Sequence, residues 1–285
     1  MQGRVREPAV AGQFYAGTKE ALLKQIEECF TTGFGPGQLP EVNEEGPRRI
    51  LGLVSPHAGY MYSGGAAAKG FFALAEDGRP EVFVIIGPSH RVDTRVALDP
   101  SDGWWTPLGV AKVEKEFLQT LANLTDVVEF EGHAHLYEHS LEVQVPFLQF
   151  VYGEDVRIAP ICMGDQSLET ARALGEALAK AIRESEKDTV VIASTDFTHY
   201  EPKRSAETKD RKAIDAILAL DPEELYRVRR ELHLTMCGPG PTAAMLYCAK
   251  ALGASEADLL SYYTSGDVIG EFLDVVGYAS IAVYR

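Results

Sequence analysis

The sequence predicts an α/β protein with a largely parallel central sheet flanked by helices. Three observations carry this. Short apolar runs without polar alternation recur, as in strands buried on both faces. Each run ends in a polar turn. Ala-, Leu-, Glu- and Lys-rich segments of helical length lie between the runs, and strands alternating with helices favour a parallel sheet.

Residues 18–30 predict the first helix, with Thr18 as its cap and Leu22, Leu23, Ile26 and Phe30 as one apolar stripe. Residues 31–49 are rich in Gly, Pro and acid and read as a surface loop. Ile50–Val54 is a strand that ends in Ser55-Pro56-His57-Ala58-Gly59-Tyr60, and a helix over 64–76 comes next. Glu81–Ile86 is a strand that ends in Gly87-Pro88-Ser89-His90. WWTPLG (104–109) reads as an apolar-aromatic loop. Val156–Cys162 is a strand, followed by a helix over 167–185. Thr189–Ala193 is a strand that ends in Ser194-Thr195-Asp196-Phe197-Thr198-His199-Tyr200, followed by a helix over 204–219. A Gly-Pro-Gly-Pro turn opens a helix over 242–251, and 258–264 and 274–284 add strands, expected to be antiparallel. No period of 20–50 residues is visible. The expectation is a single domain over 1–285.

The 285 residues carry 27 Lys+Arg against 42 Asp+Glu, a formal charge of −15. That balance argues against a nucleic-acid backbone or an anionic membrane as main partner. With 46% hydrophobic and 24% charged residues, the composition is that of an ordinary globular protein. Cys29, Cys162, Cys237 and Cys248 form no CxxC pair, which implies a reducing, cytoplasmic compartment. The N-terminal segment lacks the apolar core of a signal peptide. The longest strongly apolar run, Val82 to Ile86, is too short to span a bilayer.

Ligands of open α/β sheets bind outside the carboxyl ends of the strands. His57, His90 and the Asp196/His199 pair all come directly after such ends. Neutral imidazole is the commonest metal ligand, and two His with one anionic group suit a divalent transition metal. Asp196, Glu142 and Cys237 are the candidate anionic thirds. A thiol near a helix N-terminus is expected to have a lowered pKa. His135 and His139 are four apart, and His139 and Glu142 three apart, so either pair shares a face if the segment is helical. No HExxH, GxGxxG, P-loop or GxSxG is present.

The set PAVAGQFY (8–15), SPHAGYMYSG (55–64), GPSH (87–90), WWTPLG (104–109), EHSLEVQVPFLQ (138–149), STDFTHY (194–200) and MCGPGP (236–241) resembles the Memo family. That family is named for the mediator of ErbB2-driven cell motility, and its prokaryotic branch is the AmmeMemoRadiSam system protein B group. The resemblance implies a fold like the class III extradiol non-haem iron dioxygenases, whose metal is held by two His and a Glu. Here it implies His57, His90 and Cys237 as metal ligands, with Cys in place of Glu. It implies His199 as acid/base with Asp196 beside it, and His139 and Glu142 as groups that orient the ligands. Trp104, and likewise Phe14 and Tyr15, read as either rimming the substrate pocket or covering the core, and the pocket is the expectation. The family often has Trp where Phe14 stands, and Phe cannot donate an indole hydrogen bond.

The implied cofactor is a divalent transition metal, iron first, with copper or zinc as alternatives. The implied activity is metal-dependent redox chemistry on a small molecule or peptide, linked to radical SAM and AMMECR-type proteins. The alternative is a non-catalytic metal- or (phospho)peptide-binding module. A cysteine hydrolase using Cys237, His57 or His199, and Asp196 is the third reading.

Overall fold

The computed structural model describes residues 4–285. Its first part runs β1 (Val5–Arg6), α1 (Lys19–Thr31), β2 (Ile50–Ser55), α2 (Tyr60–Asp77), β3 (Val82–Pro88) and β4 (Val96–Leu98). A hairpin, β5 (Gly103–Thr106) and β6 (Gly109–Val113), leads to α3 (Lys115–Leu124), β7 (Val128–Phe130) and α4 (His133–Leu136). After a 3-10 turn at Glu142–Gln144 come α5 (Val145–Tyr152), β8 (Arg157–Met163), α6 (Leu168–Ser185), β9 (Thr189–Ser194) and β10 (His199–Glu201). The chain closes with α7 (Lys203–Leu218), α8 (Pro222–Glu231), α9 (Pro239–Ala251), β11 (Glu256–Thr264), α10 (Ser265–Ile269) and β12 (Val275–Tyr284).

The sheet centre is parallel, in the order β6-β8-β3-β9-β2. Val84 pairs with Val191, and Leu53 with Ile192, so three adjacent strands end at one level. Every residue of β2, β3 and β9 is buried, as their unalternating apolar sequences require. Helices cover both faces of β2. A Cβ at Gly52 would meet Met245 of α9, while Leu53, pointing the other way, lies against Gly70 of α2. β12 and β11 extend this edge antiparallel, as expected of the C-terminal strands.

Local signals explain the helix starts. The Thr18 hydroxyl accepts from Ala21 N–H at α1, and Ser167 accepts from Thr170 N–H at α6. α8 begins with Asp221 as cap, Pro222 in its first turn and two Glu, and ends in Arg229 and Arg230.

Two local expectations are corrected. WWTPLG is not a loop: Trp104 and Trp105 belong to β5, which returns through a turn at Pro107 and Leu108 into β6, whose first residue Gly109 has φ +131°. Trp104 is 1% exposed and Trp105 40%, the alternation of a one-faced strand. The His135–Glu142 segment is not one helix either. α4 ends at Leu136 and helical geometry resumes at Glu142, so the spacing of His135, His139 and Glu142 places no pair on a shared helix face.

Candidate metal centre

Three adjacent parallel strands deliver the chemistry. His57 follows β2, Asp196 follows β9 and His90 follows β3, all at the carboxyl edge, and His199 is the first residue of β10. Cys237 arrives from the turn before α9, its backbone N–H donating to Asp196 O at 3.3 Å. His139 arrives on the loop after α4. That loop comes close because β3 has a glycine there: a Cβ at Gly87 would stand 2.5 Å from Ser140 Oγ.

His57, His90 and His139 each offer a ring nitrogen, and the three atoms lie within 4.8 Å of one another. The ring centroids are 4.6 to 5.4 Å apart. Cys237 Sγ lies 3.2 Å from His57 Nε2. His139, expected behind His57 and His90, therefore stands beside them. Cys237 touches the cluster through the His57 ring.

Burial holds His57 well below the usual histidine range, helped by the neighbouring rings of His139, His90 and His199. Burial likewise lowers His139 to about 4, partly opposed by Glu138. His139 Nδ1 is buried without a hydrogen-bond partner. Three imidazoles gathered this closely, one with an orphaned nitrogen, fit a cation in the donor chemistry they offer.

Glu138 is a residue the sequence reading missed. Its carboxylate accepts from His90 Nδ1 at 2.9 Å, from His90 N–H at 2.6 Å and from Ser140 N–H at 2.8 Å. Burial alone would raise its pKa, but the His90 and Ser140 donors outweigh it and hold the carboxyl at about 2. An ionised Glu138 keeps the proton of His90 on Nδ1 and leaves Nε2 free. Carboxylates behind metal-binding imidazoles serve this purpose. The only local signal was its place beside His139.

Glu142, expected to orient a ligand, has other partners. It pairs with Arg6 at 2.8 Å and accepts from Ala9 N–H, Val10 N–H and the Tyr15 hydroxyl at 2.7 to 3.0 Å. It anchors the N-terminal segment. Tyr15 and Trp104 are corrected with it. Both are buried, Tyr15 bonded to Glu142 and Trp104 donating its indole N–H to Asp99 under the Arg6 guanidinium. Phe14 does reach the site, its ring 4.7 Å from that of His139.

Asp196 is buried and accepts from His57 N–H at 2.8 Å, with its other oxygen 4.0 Å from His57 Nε2. Burial raises its pKa above the usual carboxylate range, against the pull of that hydrogen bond and of His199. His199 is half-buried. Its Nδ1 lies 2.9 Å from Thr235 O, and its backbone N–H donates to Thr235 Oγ1 at 2.7 Å. A carbonyl only accepts, so Nδ1 carries the proton and Nε2 is the basic nitrogen. The Cys237 thiol departs from expectation. Burial, then the Asp196 carboxylate, pushes its pKa up, which outweighs its place before a helix. A thiol in that state is a poor free nucleophile.

A family model described as Memo-like protein matches residues 6–282. The chain belongs to the Memo family. A MEMO1 family protein of Methanopyrus kandleri is 50% identical over 281 residues, covering 98% of this chain and 99% of the relative. Another from Methanothermobacter thermautotrophicus is 47% identical, covering 98% of this chain and 100% of the relative. Among solved structures, an uncharacterized protein from Escherichia coli K12 superposes with TM-score 0.57 at 15% identity, covering 82% of this chain and 99% of that one. At that identity the likeness is one of α/β fold. No helix among the described residues is long and apolar enough to cross a membrane.

Proposed function

We propose that this Memo-family protein is a metal-dependent redox enzyme acting on a small molecule or peptide. The observation that carries the proposal is the convergence of three imidazole nitrogens within 4.8 Å, beside a thiol sulfur 3.2 Å from His57 Nε2. His57 and His90 would hold the metal, with Cys237 and His139 completing its ligands. Iron is the first choice, and the soft sulfur also suits copper or zinc. The metal would supply open coordination positions and, for iron or copper, a change of oxidation state.

The chain's own groups have separate tasks. His199 Nε2, its ring fixed by Thr235, accepts or returns a substrate proton. Asp196 holds the His57 backbone and sets the charge beside the thiol. Phe14 walls one side of the cluster. A cytoplasmic location and a shared pathway with radical SAM and AMMECR-type proteins complete the proposal.

The test is oxygen and substrate consumption by protein loaded anaerobically with Fe(II) or Cu(I), over pools of small molecules and peptides. Turnover that disappears in His199→Ala while metal content stays intact supports the enzyme. Metal-loaded protein that changes oxidation state with nothing and consumes nothing favours the non-catalytic binding module.

A further inference from the structure

Behind His57 lies a hydrogen-bond junction that the ligand set does not include. His57 Nδ1 is 2.9 Å from Ser194 Oγ. The same hydroxyl is 2.6 Å from the Ser140 carbonyl oxygen and 2.9 Å from Gln144 Nε2. Ser194, Ser140, Gln144 and His57 are all buried.

A hydroxyl has one proton to donate and two lone pairs. The Ser140 carbonyl can only accept, so at 2.6 Å it takes the Ser194 proton. Gln144 presents its NH2 group because the same nitrogen donates to Pro56 O at 3.0 Å. A flipped amide would set two oxygens against each other at Pro56. Its own oxygen, Oε1, is left buried without a partner, so the orientation is held at a cost. Both remaining Ser194 positions are therefore acceptors, and the one facing His57 requires an Nδ1–H.

We infer that Ser194, oriented by the Ser140 carbonyl and Gln144, is the positioning residue that fixes His57 as its Nδ1–H tautomer and keeps the Nε2 lone pair turned toward Cys237. This deepens the proposed function and rests on it for the metal's role. His90 receives the same instruction by a different chemistry, from the Glu138 carboxylate. A neutral hydroxyl does for the deeply buried ring what a charge does for the more exposed one. A second carboxylate behind His57 would face Asp196 across a site already short of cations.

The test reads the tautomer directly in metal-free protein. Long-range proton–nitrogen spectra of 15N-histidine-labelled protein are expected to show His57 protonated at Nδ1 in the wild type. An Nε2–H tautomer there would overturn the inference with no variant needed. Ser194→Ala is expected to populate the Nε2–H form and to weaken Fe(II) binding by about 10- to 100-fold in anaerobic chelator competition. Ser194→Thr, which keeps the hydroxyl, restores both. Wild-type tautomer and affinity in a folded Ser194→Ala protein contradict the inference and leave the metal centre standing. Absence of Fe(II) binding in the wild type defeats the metal reading, while the spectrum still decides the tautomer.

Discussion

The two ends of the same parallel strands are built on opposite principles. At the amino ends, charges meet partners. Arg48 bridges Asp77 and Asp188, and Asp77 also accepts from the N–H groups of Arg49 and Ile50 at 2.8 Å. Buried Glu114 pairs with Arg157 and Lys187, each at 3.1 Å. At the carboxyl ends, four neutral or hard-to-ionise groups crowd together, and His139 Nδ1, Gln144 Oε1 and Ser55 Oγ are buried without partners. None of the buried orphans among the described residues belongs to the amino-end network. A hollow of about 410 Å³ between Arg79, Phe83, Tyr152, Arg157 and Lys187 opens at the satisfied end. A larger one, of about 540 Å³, lies beside Asp93, Thr94 and Asp165, and neither is lined by His57, His90, His139 or Cys237, so cavity size does not locate the chemistry here. Unmet hydrogen-bonding capacity points to it more closely: of the five buried orphans among the described residues, three lie in or behind the cluster, with His135 Nδ1 and Ser280 Oγ outside it.

The comparison breaks most visibly if an amino-end substitution disturbs the metal. Asp77→Ala leaves Arg48 paired with Asp188 alone and strands two backbone donors, those of Arg49 and Ile50. We expect a loss of about 2–4 kcal/mol in denaturant unfolding, from orphaned donors that each cost about 1–3 kcal/mol, with metal affinity unchanged. A drop in affinity would mean the two ends are coupled.

The next effect separates burial from function near the site. Asp210 accepts from Thr198 N–H, the Thr198 hydroxyl and the Tyr262 hydroxyl, yet burial outweighs these bonds and raises its pKa from 3.8 to about 6. A raised folded pKa gives a contribution that is complete below about pH 3.8 and is lost as pH rises through about 6. Relative to wild type, Asp210→Asn should therefore gain about 2.4 kcal/mol between pH 4 and 7.5, at roughly 1.4 kcal/mol per unit of difference between the folded and unfolded values. A pH-independent difference would show that the carboxyl ionises freely.

Glu138→Gln sharpens the carboxyl-end account. It keeps the shape and removes the charge that orients His90, so metal affinity is expected to fall about 10- to 100-fold with little change in thermal midpoint. The smallest effect belongs to the exposed Arg79–Glu44 pair beside the amino-end hollow. Arg79→Ala should move the thermal midpoint by no more than about 2 °C and leave metal content untouched.

The strand-end histidines were legible because a buried parallel strand announces itself as an unbroken apolar run, and the residues just past its end stand at the ligand edge. The alternation of helices and strands was readable for the same reason. The hairpin was not: Trp104 and Trp105 look alike in sequence, and only burial shows that one faces the core and the other solvent. Glu138 and Glu142 exchanged roles because the segment between α4 and α5 is irregular, so spacing carried no directional information. Glu138 finds His90 across 48 residues, and Glu142 finds Arg6 across 136. Such pairings are decided by tertiary packing. Cys237 was placed correctly before a helix, but the helix end could not reveal how far burial and Asp196 raise its thiol.

A metal centre at the carboxyl-end cluster has to show itself as bound metal. Elemental analysis of tag-free protein purified anaerobically, with His57→Ala and Cys237→Ala in parallel, tests it most directly. Close to one iron or copper per chain is expected in the wild type, lost in His57→Ala and weakened in Cys237→Ala. Wild-type protein that holds no metal as purified and takes none up on reconstitution would contradict it.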